Sequence, residues 1–442
     1  MPLLVLAVLL FVTNPAQTPE PDALARGRAA LAALTARQFA SIEARFTDEM
    51  KAAMPPGRLE FTWTMLLAQA GAHKSCAPDS RVVAIADKQM VITACEFERA
   101  QVDVQFAFDT QGRIAGMRLR PPATAPAPVA PYSPPAYADP AAYNEQEVKI
   151  GTADWPLPAT LTMPAGDKSY PAVVLVHGSG PNDRDETVGG NKPFKDLAVG
   201  LASRGIAVLR YDKRSKVHGP RLAALTSLTV KEEVLDDVSE ALAWVSAHPS
   251  IDPRRIFVLG HSLGGMLVPR IVSANGTVAG AIVLAGAARP IEVALVEQSR
   301  YIAMLDGTIS PEEQQQIDVM EKASAAIKGL GARDASGGGL IAGAPPSYWL
   351  DLRGYDAPTA APRLTTRLLV LQGERDYQVT MAEFERWKRA LGGRREVTFR
   401  SYPALNHLFI AGTGRSTPQE YLQPSHVAEE VIRDIAAWIR PQ

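Results

Sequence analysis

The sequence predicts an α/β protein, a mostly parallel sheet with helices on both faces and a helical cap, preceded by a small α+β domain. Three observations predict it. From residue 145 onward short apolar runs alternate with helical patterns. Residues 121–140 are dominated by Pro and Ala, which marks an extended linker. Ahead of that linker, a helical stretch gives way to closely spaced β-rich runs.

Taken in chain order, residues 1–12 are almost purely apolar, and Asn14-Pro15-Ala16 then breaks the run. This is the pattern of a cleaved export signal over residues 1–16, which implies a periplasmic or extracellular protein. No Lys or Arg precedes the apolar core, so a retained N-terminal anchor is the alternative, although the run is short for a membrane span. The chain has only two cysteines, Cys76 and Cys95. An exported chain can pair them in one way, and a disulfide is expected, with two buried thiols as the alternative.

Residues 24–50 carry Ala, Leu and Phe at helical spacing until Pro55-Pro56-Gly57, predicting one or two helices. Residues 81–86, 90–97 and 102–108 read as strands, the last alternating Val102, Val104, Phe106 and Phe108. Gln111-Gly112 turns the chain into a further strand at 114–119. The small domain therefore spans 24–120 and the linker 121–144.

The remainder, 145–442, alternates strands at 172–176, 206–210, 256–259 and 280–284 with helices at 194–203, 229–247 and 266–274. Thr229 and Glu232 form a capping box for the second of these helices. Residues 292–330 read as helices with no strand between them, followed by a Gly-, Ala- and Pro-rich stretch to 346. This predicts an inserted cap over about 292–362 with a mobile exit. Strands resume at 368–371 and 397–402 around a helix at 381–391, and 426–439 closes the chain.

The chemistry centres on Gly260-His261-Ser262-Leu263-Gly264. A Gly-x-Ser-x-Gly pentapeptide arises by chance in about one chain of this length in eight, so context decides its meaning. Here the apolar strand Ile256-Phe257-Val258-Leu259 precedes it and a helix follows, the setting of a strained strand-to-helix elbow that exposes a nucleophile. A serine hydroxyl needs a general base, and the base needs an acid to fix its tautomer. In a strand–elbow–helix site of this kind both follow later in the chain, the histidine last. Of 7 histidines, only His407 and His426 lie beyond residue 371. His426 reads as a first-turn surface position of the last helix, which leaves His407, in the loop after the final strand, as the base. The acid belongs in Gln372–Val379, which offers Glu374 and Asp376; position favours Asp376 only slightly, because either could pair with Arg375 on the surface. Two backbone N–H groups must meet the oxyanion. Leu263, directly after the nucleophile, supplies one, and Ser179, in His177-Gly178-Ser179-Gly180 after the strand at 172–176, supplies the other. His177 precedes the nucleophile, the wrong chain order for a base, and reads as a structural loop residue.

Taken together, His177-Gly178-Ser179-Gly180-Pro181-Asn182-Asp183-Arg184-Asp185-Glu186-Thr187, Asn191-Lys192-Pro193-Phe194, Gly260-His261-Ser262-Leu263-Gly264-Gly265, Gln372-Gly373-Glu374-Arg375-Asp376 and Asn406-His407 resemble the secreted bacterial carboxylesterases of the α/β-hydrolase superfamily. The resemblance implies that fold, a Ser262–His407–Asp376 triad with Asp376 chosen over Glu374, and hydrolysis of short to medium acyl esters. Tyr211-Asp212-Lys213-Arg214 matches a segment near the site, with a structural or rim role. The N-terminal pattern is similar to a small domain of unknown function that precedes some secreted hydrolases and looks like a nuclear-transport-factor cone. The cap matches least, which leaves the substrate open.

Lys and Arg (46) balance Asp and Glu (47), so no basic field invites nucleic acid. With no Cys/His zinc spacing, no His-Glu-x-x-His and no Walker-type loop, neither metal nor nucleotide cofactor is implied. The expected partner is a small-molecule ester. Peptidases and acyl-thioesterases use the same geometry, and export argues against a coenzyme A thioester. A peptidase would need an anchor for an amine, for which Asp183, Asp185 and Glu186 are candidates, though a solvated acidic loop is the simpler reading. A catalytically idle module that binds an envelope component is the alternative of another class.

Overall fold

The computed structural model describes residues 21–440 apart from 55, 86–87, 99, 121–131, 226, 277 and 338. The expected export signal at 1–16 and most of the Pro/Ala-rich stretch lie outside the described residues. The chain forms two compact units, one of residues up to Lys51 with His73–Thr124, the other of Ala52–Ala72 with Ala125–Gln442.

In the first unit, helices Pro21–Thr35 and Phe39–Glu43 accompany an antiparallel sheet of β1 (His73–Cys76), β2 (Arg81–Ile85), β3 (Lys88–Phe97), β4 (Gln101–Phe108) and β5 (Ile114–Arg120). The strands run β1-β3-β4-β5, with β2 also pairing β3. Val102, Val104, Phe106 and Phe108 are all buried, as their alternation predicts. Helix Pro21–Thr35 lies against the sheet so closely that a Cβ at Gly27 would come within 2.5 Å of Val91. Cys76 and Cys95 stand directly opposite in the β1/β3 register and form a disulfide.

Helix Arg58–Ala70 belongs to the second unit, whereas the sequence predicts a small domain running unbroken from 24 to 120. Its first turn is tied there: the Arg58 guanidinium donates to the Gly343 carbonyl at 2.7 Å, and Gly343 approaches the Phe61 ring so closely that a Cβ would lie 2.8 Å from it.

The second unit is built on an eight-stranded sheet of β6 (Tyr143–Ile150), β7 (Leu157–Pro164), β8 (Tyr170–Val176), β9 (Ala207–Tyr211), β10 (Ile251–His261), β11 (Gly280–Leu284), β12 (Arg367–Gly373) and β13 (Val397–Tyr402). The order is β13-β12-β11-β10-β8-β9-β7-β6. β8 through β13 pair in parallel, while β6 and β7 form an antiparallel hairpin on the β9 edge. The crossover β8–β9 moves toward one edge and β9–β10 toward the other. Right-handed connections therefore put helix Pro193–Ala202 and helix Asp236–Ser246 on opposite faces. Helix Glu429–Ile439 packs beside the former, with Ile432 against Gly200. The central strands are buried end to end, as sequences apolar on both sides require.

The helix at Asp236–Ser246 is preceded by one π-turn, Lys231–Leu235, and Glu232 accepts from both the N–H and the hydroxyl of Thr229, at 2.8 and 2.6 Å. Between β11 and β12 the chain holds helices Ile291–Ala303, Pro311–Gly329 and Pro346–Arg353, with no ladder strand among the described residues. None of the helices among the described residues is long and apolar enough to cross a membrane.

Candidate active site

In an open parallel sheet, ligands bind beyond the carboxyl ends of the strands, where the order reverses. Here that point lies between β8 and β10, and it is there that the loop at 177–187 meets the turn at 262. Ser262 directly follows β10 with φ 54° and ψ −113°, a left-handed value that an L-residue adopts only when its surroundings over-determine it. The flanking glycines are what permit this turn. A Cβ at Gly260 would stand 2.2 Å from the Gly264 carbonyl oxygen, and one at Gly264 would stand 2.3 Å from that of Val176. The backbone is pinned on both sides: Ser262 N–H donates to Leu284 O at 3.0 Å, and its carbonyl accepts from Met266 at 3.0 Å. Leu263 opens helix Leu263–Ala274, so its N–H has no carbonyl within the helix to meet.

The loop after β8 closes on the serine from the other side, with the Gly178 position 3.2 Å from Ser262 Cβ and 3.7 Å from its Oγ, measured from where a Cβ would stand. The Gly178 carbonyl accepts from Lys213 Nζ at 2.9 Å and from Asn182 Nδ2 at 3.2 Å. Across a trans peptide the N–H points opposite to the C=O, so these two bonds aim the Ser179 N–H away from Lys213. Lys213 is buried and pairs with Glu233 at 3.0 Å. The rest of Tyr211–Arg214 is equally engaged: Tyr211 packs edge-on to His177, Asp212 binds Arg184, and Arg214 binds Asp237.

Asp376 follows β12 and is buried; its Oδ1 accepts from the N–H groups of Gln378 and Val379 at 2.8 and 3.0 Å. Its Oδ2 lies 2.6 Å from His407 Nδ1 and 3.2 Å from Gln372 Nε2. Glu374 points outward and accepts only from Ser401 Oγ at 2.7 Å, so the carboxylate beside the histidine is that of Asp376. Arg375 pairs with Glu420 rather than with either neighbour. His407 is buried in the loop after β13, which Asn406 shapes by accepting from Leu408 and Ile410 at 3.0 and 3.2 Å. His426 precedes the last helix instead of lying in its first turn, and its Nδ1 binds Asp196 at 3.0 Å.

Glu186, which the sequence offers only as an amine anchor or part of a solvated loop, and His261, to which it gives no role, complete the arrangement. Glu186 is buried, not part of a solvated acidic loop. Its Oε1 accepts from the Gly178 N–H at 2.6 Å and its Oε2 lies 2.8 Å from His261 Nδ1. His261 Nε2 in turn lies 3.0 Å from the His407 carbonyl oxygen. Asp185 is also engaged, by Lys192 and Arg210, while Asp183 accepts from the N–H groups of Asp185 and Thr187. His177 sits between Phe194 and Tyr211, where burial pushes its pKa down to about 4 and keeps the ring neutral.

The cap helix Ile291–Ala303 is stacked onto the acid loop by Tyr301 against Tyr377, ring centroids 4.8 Å apart. Among the described residues, one trio of potential metal ligands lies close together, His73, Cys76 and Cys95. The two sulfurs are joined to each other, and a disulfide sulfur is not the thiolate that a metal takes.

Residues 173–423 match the model of the alpha/beta hydrolase family, and the chain belongs to that family. Residues 30–117 match a domain family of unknown function, DUF3887. Among characterised proteins it is similar to the esterase EstD of Thermotoga maritima, 36% identical over 406 residues, 92% of each chain. Solved structures that resemble it include a Pyrococcus furiosus esterase, 18% identical, covering 67% of this chain and 90% of that one at a TM-score of 0.42. Another is an esterase of Pyrobaculum calidifontis, 19% identical, covering 67% and 85% at a TM-score of 0.43.

Proposed function

We propose that the protein is a carboxylesterase-type serine hydrolase that works through an acyl-enzyme on Ser262. The observation that carries the proposal is the buried His407–Asp376 pair, 2.6 Å apart, on the same sheet edge as a serine held at positive φ. The likeness to EstD, a named esterase, over most of both chains supports esters as the substrate class.

His407 Nε2 takes the Ser262 proton as Oγ adds to the ester carbonyl, and Asp376 holds the proton on Nδ1 and stabilises the imidazolium. The tetrahedral oxyanion accepts from the N–H groups of Leu263 and Ser179, donors of a kind worth about 3 to 4 kcal/mol each in the transition state. Collapse breaks the bond to the alcohol oxygen, which leaves with the proton from His407. A water then gives its proton to His407 and its oxygen to the acyl carbon, releasing the acid and restoring Ser262. An amine anchor for a peptide terminus has little support, since Asp183, Asp185 and Glu186 are each engaged within the protein. The disulfide and the apolar N-terminus favour an exported protein.

Turnover of p-nitrophenyl esters of graded acyl length, set beside aminoacyl p-nitroanilides, tests the substrate class. The proposal expects ester cleavage that falls as the acyl chain lengthens. Cleavage of the anilides alone would assign a peptidase instead, and cleavage of neither an idle module.

A further inference from the structure

The nucleophile's neighbour His261 stands between two loops that must be placed independently of each other, and it touches both. Through Glu186 it reaches the Gly178 N–H, beside the proposed oxyanion donor Ser179. Through its own Nε2 it reaches the carbonyl of His407. Glu186, His261 and His407 are all buried, at 4% exposure each. Beside the pair lies a void of about 10 Å³ walled by Pro193, Phe194, Leu197, Leu284 and Phe409, at the lower limit for a single water.

The proton positions follow from the partners. A carbonyl oxygen can only accept, so His261 Nε2 carries hydrogen; the proton between Glu186 Oε2 and Nδ1 could sit on either atom, and the amide bond to Oε1, which favours the ionised carboxylate, places it on Nδ1. With both nitrogens donating, the ring is an imidazolium paired with a carboxylate, neutral as a unit. The charges agree with the surroundings. Burial works against the imidazolium, yet Glu186, the His407 carbonyl and Asp376 together outweigh it and hold the His261 pKa above its ordinary value. Burial likewise works against the carboxylate, and His261 with the other groups around it, the Gly178 N–H among them, more than offsets it, leaving Glu186 below its ordinary value. Glu186 also sits at φ 51°, a strained value for a residue with a side chain, which its bonds to Gly178 and His261 hold in place.

We infer that Glu186 and His261 form a positioning pair, a buried carboxylate–imidazolium link that sets the oxyanion loop and the base loop at a fixed distance on either side of Ser262. The inference rests on the proposed roles of Ser262, His407 and Ser179. Glu186 acts through the backbone it holds, and His261 does so while also packing its ring against that of His407, centroids 4.7 Å apart.

The test compares two changes at one position. Glu186→Gln can keep every bond, its carbonyl accepting from Gly178 and its amide donating to a neutral His261 that still donates to His407. Glu186→Ala cuts the link, and a displacement of about 1 Å in such a site costs about a hundredfold in rate. The expected result is a kcat about a hundredfold lower for Glu186→Ala at little-changed KM, with Glu186→Gln restoring it to within about tenfold of the parent. Undiminished kcat in Glu186→Ala, or equal loss in both variants, would overturn the inference. Nitrogen-15 spectra of the histidine rings in the parent protein decide the matter independently should the alanine variant not fold. One ring with both nitrogens protonated at a pH above the ordinary histidine range, absent in His261→Phe, is expected, and a neutral His261 would refute the pair. Labelling of the parent by a fluorophosphonate separates the two layers of the argument: its absence from Ser262 sinks the proposed mechanism, while labelled Ser262 with an unaffected alanine variant sinks the link alone.

Discussion

Replacing Asp376 by Asn changes one atom and tests the acid directly. The carboxylate accepts at Oδ1 from the N–H groups of Gln378 and Val379 and faces His407 Nδ1 and Gln372 Nε2 with Oδ2. An asparagine has a single oxygen to offer. Turned toward His407, it would leave two buried backbone donors facing an NH₂ group, at about 1 to 3 kcal/mol each. Turned toward the backbone it keeps both of those bonds, and Gln372 still has the carbonyls of Gly373 and Val379 at 3.1 and 2.7 Å. The second orientation wins, and its NH₂ then donates to His407 Nδ1. That places the imidazole proton on Nε2, where a lone pair is needed to accept from Ser262. The expected loss in kcat is about 10⁴-fold, or roughly 5 kcal/mol of barrier, with the fold retained. Glu374→Gln, exposed and bonded only to Ser401, should stay within about twofold. Both are measured as kcat on a p-nitrophenyl ester alongside thermal melts. A folded Asp376→Asn keeping more than a tenth of the parent rate, or a larger loss from Glu374→Gln, refutes the assignment of the acid.

Two further expectations concern stability. His177 has its pKa lowered to about 4 by burial, so between there and its unfolded value of about 6.5 the unfolded chain binds the proton more readily. Its contribution is whole above about pH 6.5 and is lost as the pH falls toward 4, on the order of 3 kcal/mol in all. Urea unfolding at pH 7.5 and 4.5 should show a smaller acid loss for His177→Phe than for the parent; equal losses would contradict it. Opening the Cys76–Cys95 disulfide, whose cysteines are 19 residues apart, should cost the first unit about 3 kcal/mol. Amide exchange in β3 and β4 should rise by about two orders of magnitude in Cys76→Ala/Cys95→Ala, and unchanged protection would show the bond to be dispensable.

The parallel core was legible because β8 to β12 are short runs of apolar residues buried on both faces, a pattern no surface segment shares. The hairpin β6–β7 was not. β6 is a mostly exposed edge strand of sequence Tyr-Asn-Glu-Gln-Glu-Val-Lys-Ile, and β7 begins and ends around prolines. The helix Arg58–Ala70 left a signal in Leu59, Trp63 and Leu67, buried at intervals of four, but it stands behind Pro55-Pro56-Gly57, which reads as a stop. At the site, Ser262, Asp376 and His407 each follow a strand that the sequence reveals, and topology brings them to one edge. Glu186 and His261 meet across 75 residues, and Lys213 reaches Gly178 across 35. Such pairings leave no periodicity in the chain. Glu186, set among Asp183, Arg184 and Asp185, has the local look of a solvated loop.

The central claim is that Ser262 is the nucleophile, and covalent capture tests it most directly. The protein is treated with a fluorophosphonate, digested, and mapped by mass spectrometry. A single adduct on the peptide bearing Ser262, absent from Ser262→Ala together with ester turnover, is the predicted result. An equal adduct in Ser262→Ala, or turnover that survives the substitution, would contradict it.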